Sequence, residues 1–331
     1  PEEAGAVRFC PGIRKPISTT QDPVTEELVA ASAMIHTNDD RVPQPGWLKT
    51  QNGAVVSNGE LFMTQLHSIC DVQRGGFYSQ DNRSFVTSRD FSVEADLDWD
   101  NSVIFLSEGK PSPDDRFKEY TYKGQKYYGI IGRCPTREEV LNYELALPDE
   151  IVFLKTRAPD DLLSLGYSPV KIATSIQTNK IVLIQDQLAI AGYANDLPNA
   201  GTTIQRKWSE SSCGIEVIDR NDGHTMFDLQ IGRRFALPSR NYLFFTGSSD
   251  KGHSGSPVGI CSESGGCVAL GNAAFGSSSP ECSAPVVSKE KVDICHNGAR
   301  ILDDAMIAKY LMSGGDPDQT VDFKDLVNSL Y

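Results

Sequence analysis

From residue 53 onward the chain alternates short apolar runs with turn formers. GAVVS, then Asn58-Gly59, then ELFMT reads as two apolar-rich runs joined by a dipeptide that favours a tight hairpin. EIVFLKT is a short apolar run of strand type, and KIVLIQDQLAIAGYA predicts two more strands. IEVID, TMFDLQI, NYLFFTG, SPVGIC and CVALGNAAFG add further strands. Helical spacing is rare. One helix is predicted near PTREEVLNYELAL. Another is predicted in ILDDAMIAKYLMSGG, where Ile301, Met306, Ile307, Tyr310 and Leu311 share a face and Gly314-Gly315 stops the element. Many short strands with few helices place the chain in the all-β sandwich or barrel class. Residues 1–50, rich in Pro, Thr and charge around one apolar patch (LVAASAMI), read as an N-terminal extension wrapping the surface. Residues 72–145 are polar and aromatic and read as a long insertion.

Composition narrows the function classes. The chain has 331 residues, 39% of them hydrophobic, enough to bury a sizeable core. Gly (28) and Pro (18) suit a turn-rich β protein. A formal charge of −13 argues against general nucleic-acid binding and against attachment to anionic membranes. No run of about 18 apolar residues predicts a membrane-spanning helix. The chain begins at Pro1 rather than Met, which fits a processed product or a trimmed chain. Asn82-Arg83-Ser84 is a glycosylation sequon, and a secreted or extracytoplasmic location is slightly favoured. The eight cysteines contain no C-x-x-C pair, so a structural zinc site is not expected. Cys261 and Cys267 flank SESGG and read either as a cross-hairpin bridge or as two small buried hydrophobes.

Chemistry enters at GSSDKGHSGSPVGI, residues 247–260. Ser254 lies between small residues in a tight turn, where a hydroxyl can stand beside free backbone N–H groups. An activated serine needs a base, and the base needs an orienter. The chain has five histidines: His36, His67, His224, His253 and His296. His67 follows the Asn58-Gly59 hairpin at the end of a strand, where a rigid scaffold can aim a side chain.

Four segments carry a resemblance in order. GAVVSNGELFMTQLHSIC resembles the first-barrel histidine motif of chymotrypsin-fold serine peptidases, especially their trypsin-like and HtrA-type branch of the PA clan. PDEIVFLKT resembles the segment with the triad acid. VLIQDQLAIAGYA resembles the strand before the second barrel, and GHSGSPV the turn around the nucleophile. The resemblance spans roughly residues 53–276. It implies two six-stranded antiparallel β-barrels closed by a C-terminal α-helix. The first barrel, 51–165, would carry the His and the acid; the second, 166–300, the nucleophile; and 301–331 the helix and tail. It implies a serine endopeptidase acting on a protein or peptide substrate without a cofactor or metal. His67 is then general base, and the backbone N–H groups of Gly252 and Ser254 form the oxyanion hole. Ser248 falls at the floor of the pocket for the side chain preceding the scissile bond. Gly271, with Ala269 and Ala274, forms its wall, so a small or apolar side chain is expected there.

The sequence departs from the family pattern in places. His253 and Ser256 replace family residues beside the nucleophile. The acid position stays open between Asp149 and Glu150, with Asp98 and Asp100 as further candidates. Other readings remain. An α/β-hydrolase would need its histidine downstream of the serine, where only His296 lies. A cysteine hydrolase would have to use Cys70, beside His67. A peptidase-like fold with a decayed triad would serve as a protein-binding module.

Overall fold

A computed structural model describes residues 6–8, 15–16, 25–38, 48–78, 83–88, 90–144, 147–157, 161–181, 184, 187–193, 207–211, 217–218, 224–228, 233–237, 240–245, 254–262, 266–275, 286–288 and 297–330. Its first half is a closed six-stranded barrel. The strands are β1 (Ser32–Asn38), β2 (Leu48–Val56), β3 (Leu61–Gln65), β4 (Ser84–Thr87), β5 (Glu94–Asp98) and, after a separate sheet, β9 (Ile151–Thr156). They close in the order β9-β3-β2-β1-β4-β5, and β9 returns to β5. The separate sheet joins β6 (Val103–Ser107), β7 (Phe117–Tyr122) and β8 (Gln125–Ile131) in the order β6-β8-β7.

Two expectations about domain boundaries are corrected here. Residues 1–50 are not a surface extension throughout. Helix α1 (Glu26–Ala31), all of β1 and the start of β2 belong to the packed body, with Leu28, Ala31, Ala33 and Ile35 at 0–1% exposure. Residues 72–145 are not a simple insertion either, since β4 and β5 lie within them and complete the barrel. The helix predicted near PTREEV is α2 (Arg137–Asn142), begun by a capping box between Thr136 and Glu139.

The β2–β3 hairpin forms where Asn58-Gly59 predicted it, with Ala54 opposite Met63 and Val56 opposite Leu61. Ser57, Asn58 and Gly59 all have positive φ (53°, 57° and 90°), and Asn and Gly tolerate that region best. The run Ile151-Val152-Phe153-Leu154 is buried on both faces. Val152 and Leu154 join Val55, Phe62, Leu97 and Trp99 in one core. Ile151 and Phe153 point the other way, onto Met306, Ile307 and Tyr310. Alternation along an extended strand thus splits one apolar run between two cores.

The second half is, among the described residues, an open ten-stranded sheet. Its elements include β10 (Lys171–Thr174), β11 (Leu188–Tyr193), β12 (Lys207–Ser211), β13 (Val217–Ile218), β14 (Tyr242–Phe245), β15 (Pro257–Ser262), β16 (Gly266–Phe275), β17 (Asn297–Ile301) and β18 (Thr320–Asp322). The main order is β13-β14-β17-β16-β15-β11-β12, followed by the two-residue strand Lys15–Pro16. β10 adds to β16 in parallel, and β18 to β10. KIVLI was expected to supply a strand before LAIAGY; its first two residues, Lys180 and Ile181, instead end the helical turn Thr178–Ile181, residues 182–183 lie outside the described residues, and LAIAGY forms β11. The chain ends in two short helices rather than one, α3 (Asp304–Met312) and α4 (Phe323–Ser329). Asp303 caps α3 by accepting from the Met306 N–H, and Gly314, at φ +91°, follows its end. No helix of the described residues is long and apolar enough to cross a membrane.

Among the described residues, two disulfides staple the body. Cys261–Cys267 bridges the β15–β16 hairpin, one of the two readings of that pair. Cys70–Cys134 ties the segment after His67 to the segment before α2, and nothing in the sequence spacing signalled it. The bond also consumes the only thiol beside His67, removing Cys70 as a nucleophile.

Candidate active site

His67 lies in a single 3₁₀ turn, Leu66–Ser68, directly after β3. Its neighbours Leu66 and Ser68 are buried, and the Leu66 N–H donates to the Glu150 carbonyl at 2.7 Å. Because Gln65 pairs with Ile151, the turn carrying His67 meets the turn Leu147–Asp149 that leads into β9. The side chains meet there. His67 Nδ1 lies 3.9 Å from Asp149 Oδ1, with the imidazole 17% and the carboxylate 6% exposed. This is close electrostatic contact, longer than a hydrogen bond.

Asp149 has a second neighbour. The Tyr242 hydroxyl, from β14, donates to Asp149 Oδ2 at 3.3 Å. Burial, then the Asp149 charge, push the Tyr242 phenol well above its ordinary value, so it remains a donor. The Arg300 guanidinium lies 5.6 Å from the Tyr242 ring centroid and pairs with Asp303 at 2.8 Å.

The other acid candidates are engaged elsewhere. Glu150 points away from its neighbour Asp149 and pairs with Lys309 of α3 at 2.6 Å. Its Oε1 also accepts the Leu106 N–H at 2.9 Å. Burial pushes the Glu150 carboxyl up and the Lys309 ammonium down, each partly offset by the other's charge. Asp98 accepts from Asn101, and Asp100 pairs with Arg157 on an exposed face.

Ser254 sits half-buried at the start of a turn docked on the first barrel. Its carbonyl accepts the backbone N–H of Asn52 at 3.0 Å. The next residue explains the glycine in GHSGS. Gly255 has φ +85°, its N–H donates to Ala273 O at 2.8 Å, and a Cβ there would stand 1.9 Å from the Asn52 carbonyl oxygen. The same hypothetical Cβ would lie 2.8 Å from Thr64 Oγ1, three residues before His67. The Ser254 turn and the His67 turn are therefore both set against this strand pair, at Asn52 in the middle of β2 and at Thr64 near the end of β3.

Asn52 was not anticipated. Its Nδ2 donates to the Tyr193 carbonyl at 3.0 Å, and its Oδ1 accepts the Tyr193 N–H at 2.6 Å. One side-chain amide thus pairs with β11 as a strand backbone would, clasping the two halves beside Ser254. A single asparagine in a polar stretch carries no local signal of this role.

The remaining expected residues fall as follows. Gly271 lies inside β16, opposite Val258 and Ile301, where a Cβ would stand 2.0 Å from Arg300 O, so the close strand approach requires a glycine there. Ser248, expected at the floor of a pocket, Gly252, expected to supply an oxyanion-hole N–H, and His253 lie outside the described residues, as does His296. His36 is a half-buried histidine in β1, away from the site. It stacks on Phe85 at 5.1 Å, and burial lowers its pKa to about 4, against a smaller upward pull from Glu94. Among the described residues no group of three or more His, Cys, Asp or Glu side chains could hold a metal.

No family model matches the chain, and no curated protein matches it. Among solved structures, a catalytically inactive tobacco etch virus protease complexed with substrate is similar at 10% identity and TM-score 0.41, covering 89% of this chain and 87% of that one. A catalytically active tobacco etch virus protease complexed with product is similar at 9% identity and TM-score 0.41, covering 91% and 85%. The MamO protease domain of Magnetospirillum magneticum is similar at 10% identity and TM-score 0.37, covering 83% and 94%. Likeness at this level fixes neither family nor activity.

Proposed function

We propose that the protein is a chymotrypsin-fold serine endopeptidase, with Ser254 as nucleophile, His67 as base and Asp149 as orienter. The observation that carries this reading is the contact of His67 Nδ1 with Asp149, on the same barrel whose strand β2 seats the Ser254 turn through Asn52. In this mechanism His67 Nε2 takes the Ser254 Oγ proton as the oxygen attacks a peptide carbonyl, then returns it to the leaving amine. Asp149, on the Nδ1 side, holds the ring in the required tautomer and stabilises the imidazolium. The N–H groups of Gly252 and Ser254 stabilise the developing oxyanion, each donor being worth roughly 3–4 kcal/mol. A neutral Ser248 at the pocket floor favours a small or apolar side chain before the scissile bond.

The test is reaction with a fluorophosphonate probe read by intact mass. One adduct on the wild type, absent from Ser254→Ala and slowed at least about 10³-fold in His67→Ala, is expected. A well-folded wild type that takes up no probe sinks the reading in favour of a non-catalytic, peptide-binding fold.

A further inference from the structure

We propose that Tyr242 is a positioning residue of this site, its hydroxyl holding one oxygen of Asp149 so that the other faces His67 Nδ1; the role rests on the serine peptidase reading above. Two observations carry it. The carboxylate is gripped from both sides by different oxygens, Oδ2 by Tyr242 Oη at 3.3 Å and Oδ1 by contact with His67 at 3.9 Å. A carboxylate held at one oxygen cannot rotate about its Cβ–Cγ bond without losing that bond, so the orientation of the second oxygen is set.

The phenol itself is fixed. Tyr242 is 2% exposed, stacks on Phe244 at 6.4 Å, and lies against Phe275 at 6.3 Å. Arg300, beside the ring, is anchored by its Nη1 to Asn241 O and Ile301 O, each at 3.0 Å, and to Asp303. A cation over the ring withdraws electron density from the phenol and strengthens its hydroxyl as a donor. The two halves are thus joined by a second link. Asn52 reaches from the first half to seat Ser254, and Tyr242 reaches from the second half to seat Asp149.

The test is the second-order rate of fluorophosphonate labelling in the wild type, Tyr242→Phe, Asp149→Asn and the double variant. Phenylalanine keeps the ring, its stacking and its contact with Arg300, and removes only the donor. Tyr242→Phe is expected to label at Ser254 about 10- to 100-fold more slowly, the usual worth of a hydrogen bond to a charged group. In the Asp149→Asn background the same change is expected to alter the rate less than about twofold, because the hydroxyl acts through the carboxylate. The downfield proton resonance of His67 Nδ1–H is expected to shift in Tyr242→Phe and to vanish in Asp149→Asn. Equal rates and an unchanged resonance in Tyr242→Phe would overturn the positioning role while leaving the peptidase reading intact. Equal slowing in both backgrounds would overturn it too, marking the loss as one of packing. A folded wild type that never labels would overturn both.

Discussion

Glu150 and Lys309 meet out of water, 2.6 Å apart, with their side chains 4% and 0% exposed. The ammonium also donates to the Ile104 carbonyl at 2.7 Å, so the pair ties β9, β6 and α3 together. A buried pair of this kind adds little over an apolar replacement of both partners, but removing one strands a charge. Lys309→Ala is expected to lower unfolding free energy by about 3–5 kcal/mol, and Lys309→Met with Glu150→Gln to recover most of it. Urea denaturation of the wild type and the two variants checks this. A single-variant loss below about 1 kcal/mol would place the pair in solvent.

Gly255→Ala is expected to disrupt the serine turn. The substitution forces a side chain onto φ +85° and into the Asn52 carbonyl. Gly76→Ala is the control, because φ is +88° there and nothing lies within 4 Å of the added carbon. The control should cost about 1–2 kcal/mol from backbone conformation alone. Gly255→Ala should cost more and lose probe labelling of Ser254. Similar losses in both variants would mean that the contact with Asn52 is irrelevant.

His36 makes stability depend on acid. Its pKa falls from the ordinary 6.5 to about 4 in the fold. Between those values the unfolded chain takes up a proton that the native chain refuses. Stability therefore declines as pH falls from 6.5 towards 4, and is unaffected by this group above 6.5. The loss should reach about 2 kcal/mol at the acid end. His36→Gln should flatten the decline by that amount, measured as unfolding free energy at pH 7 and pH 4.5. An unchanged slope in the variant would assign it to other groups.

The two disulfides should differ in worth. Cys70–Cys134 closes a loop of 64 residues in sequence separation, and Cys261–Cys267 one of 6. Loop entropy gives about 4 kcal/mol for the first and about 2 for the second. Paired serine replacements compared by thermal unfolding should follow that order. A reversed order would show that the short bridge acts through native packing instead.

Some of this was legible from sequence because it is local. The Asn58-Gly59 turn needs positive φ, and those residue types announce it. His67 follows from that turn by a fixed number of strand residues. The choice between Asp149 and Glu150 was not legible. Asp149 ends the turn Leu147–Asp149, Glu150 leads from it into β9, and both carry carboxylates. What separates them is Lys309, 159 residues away on a helix, where a lysine ordinarily reads as solvated. Tyr242, Asn52 and the barrel strand in SAMIHTN were hidden for the same reason. Their roles depend on partners brought together by the closed sheet, and no periodicity in their own neighbourhood records them.

The clasp made by Asn52 also implies an order of assembly. Its partner Tyr193 lies 141 residues further along the chain, and Ser254 later still. The barrel closes within residues 32–156, and most of its core comes from those residues, with Leu237, Tyr242, Phe244 and Ala274 added from the second half. During synthesis the seat for the serine turn can therefore be complete before the serine has been made. The second half then folds against a template rather than alone, so long-range closure, which is slow in β proteins, is confined to one late docking step.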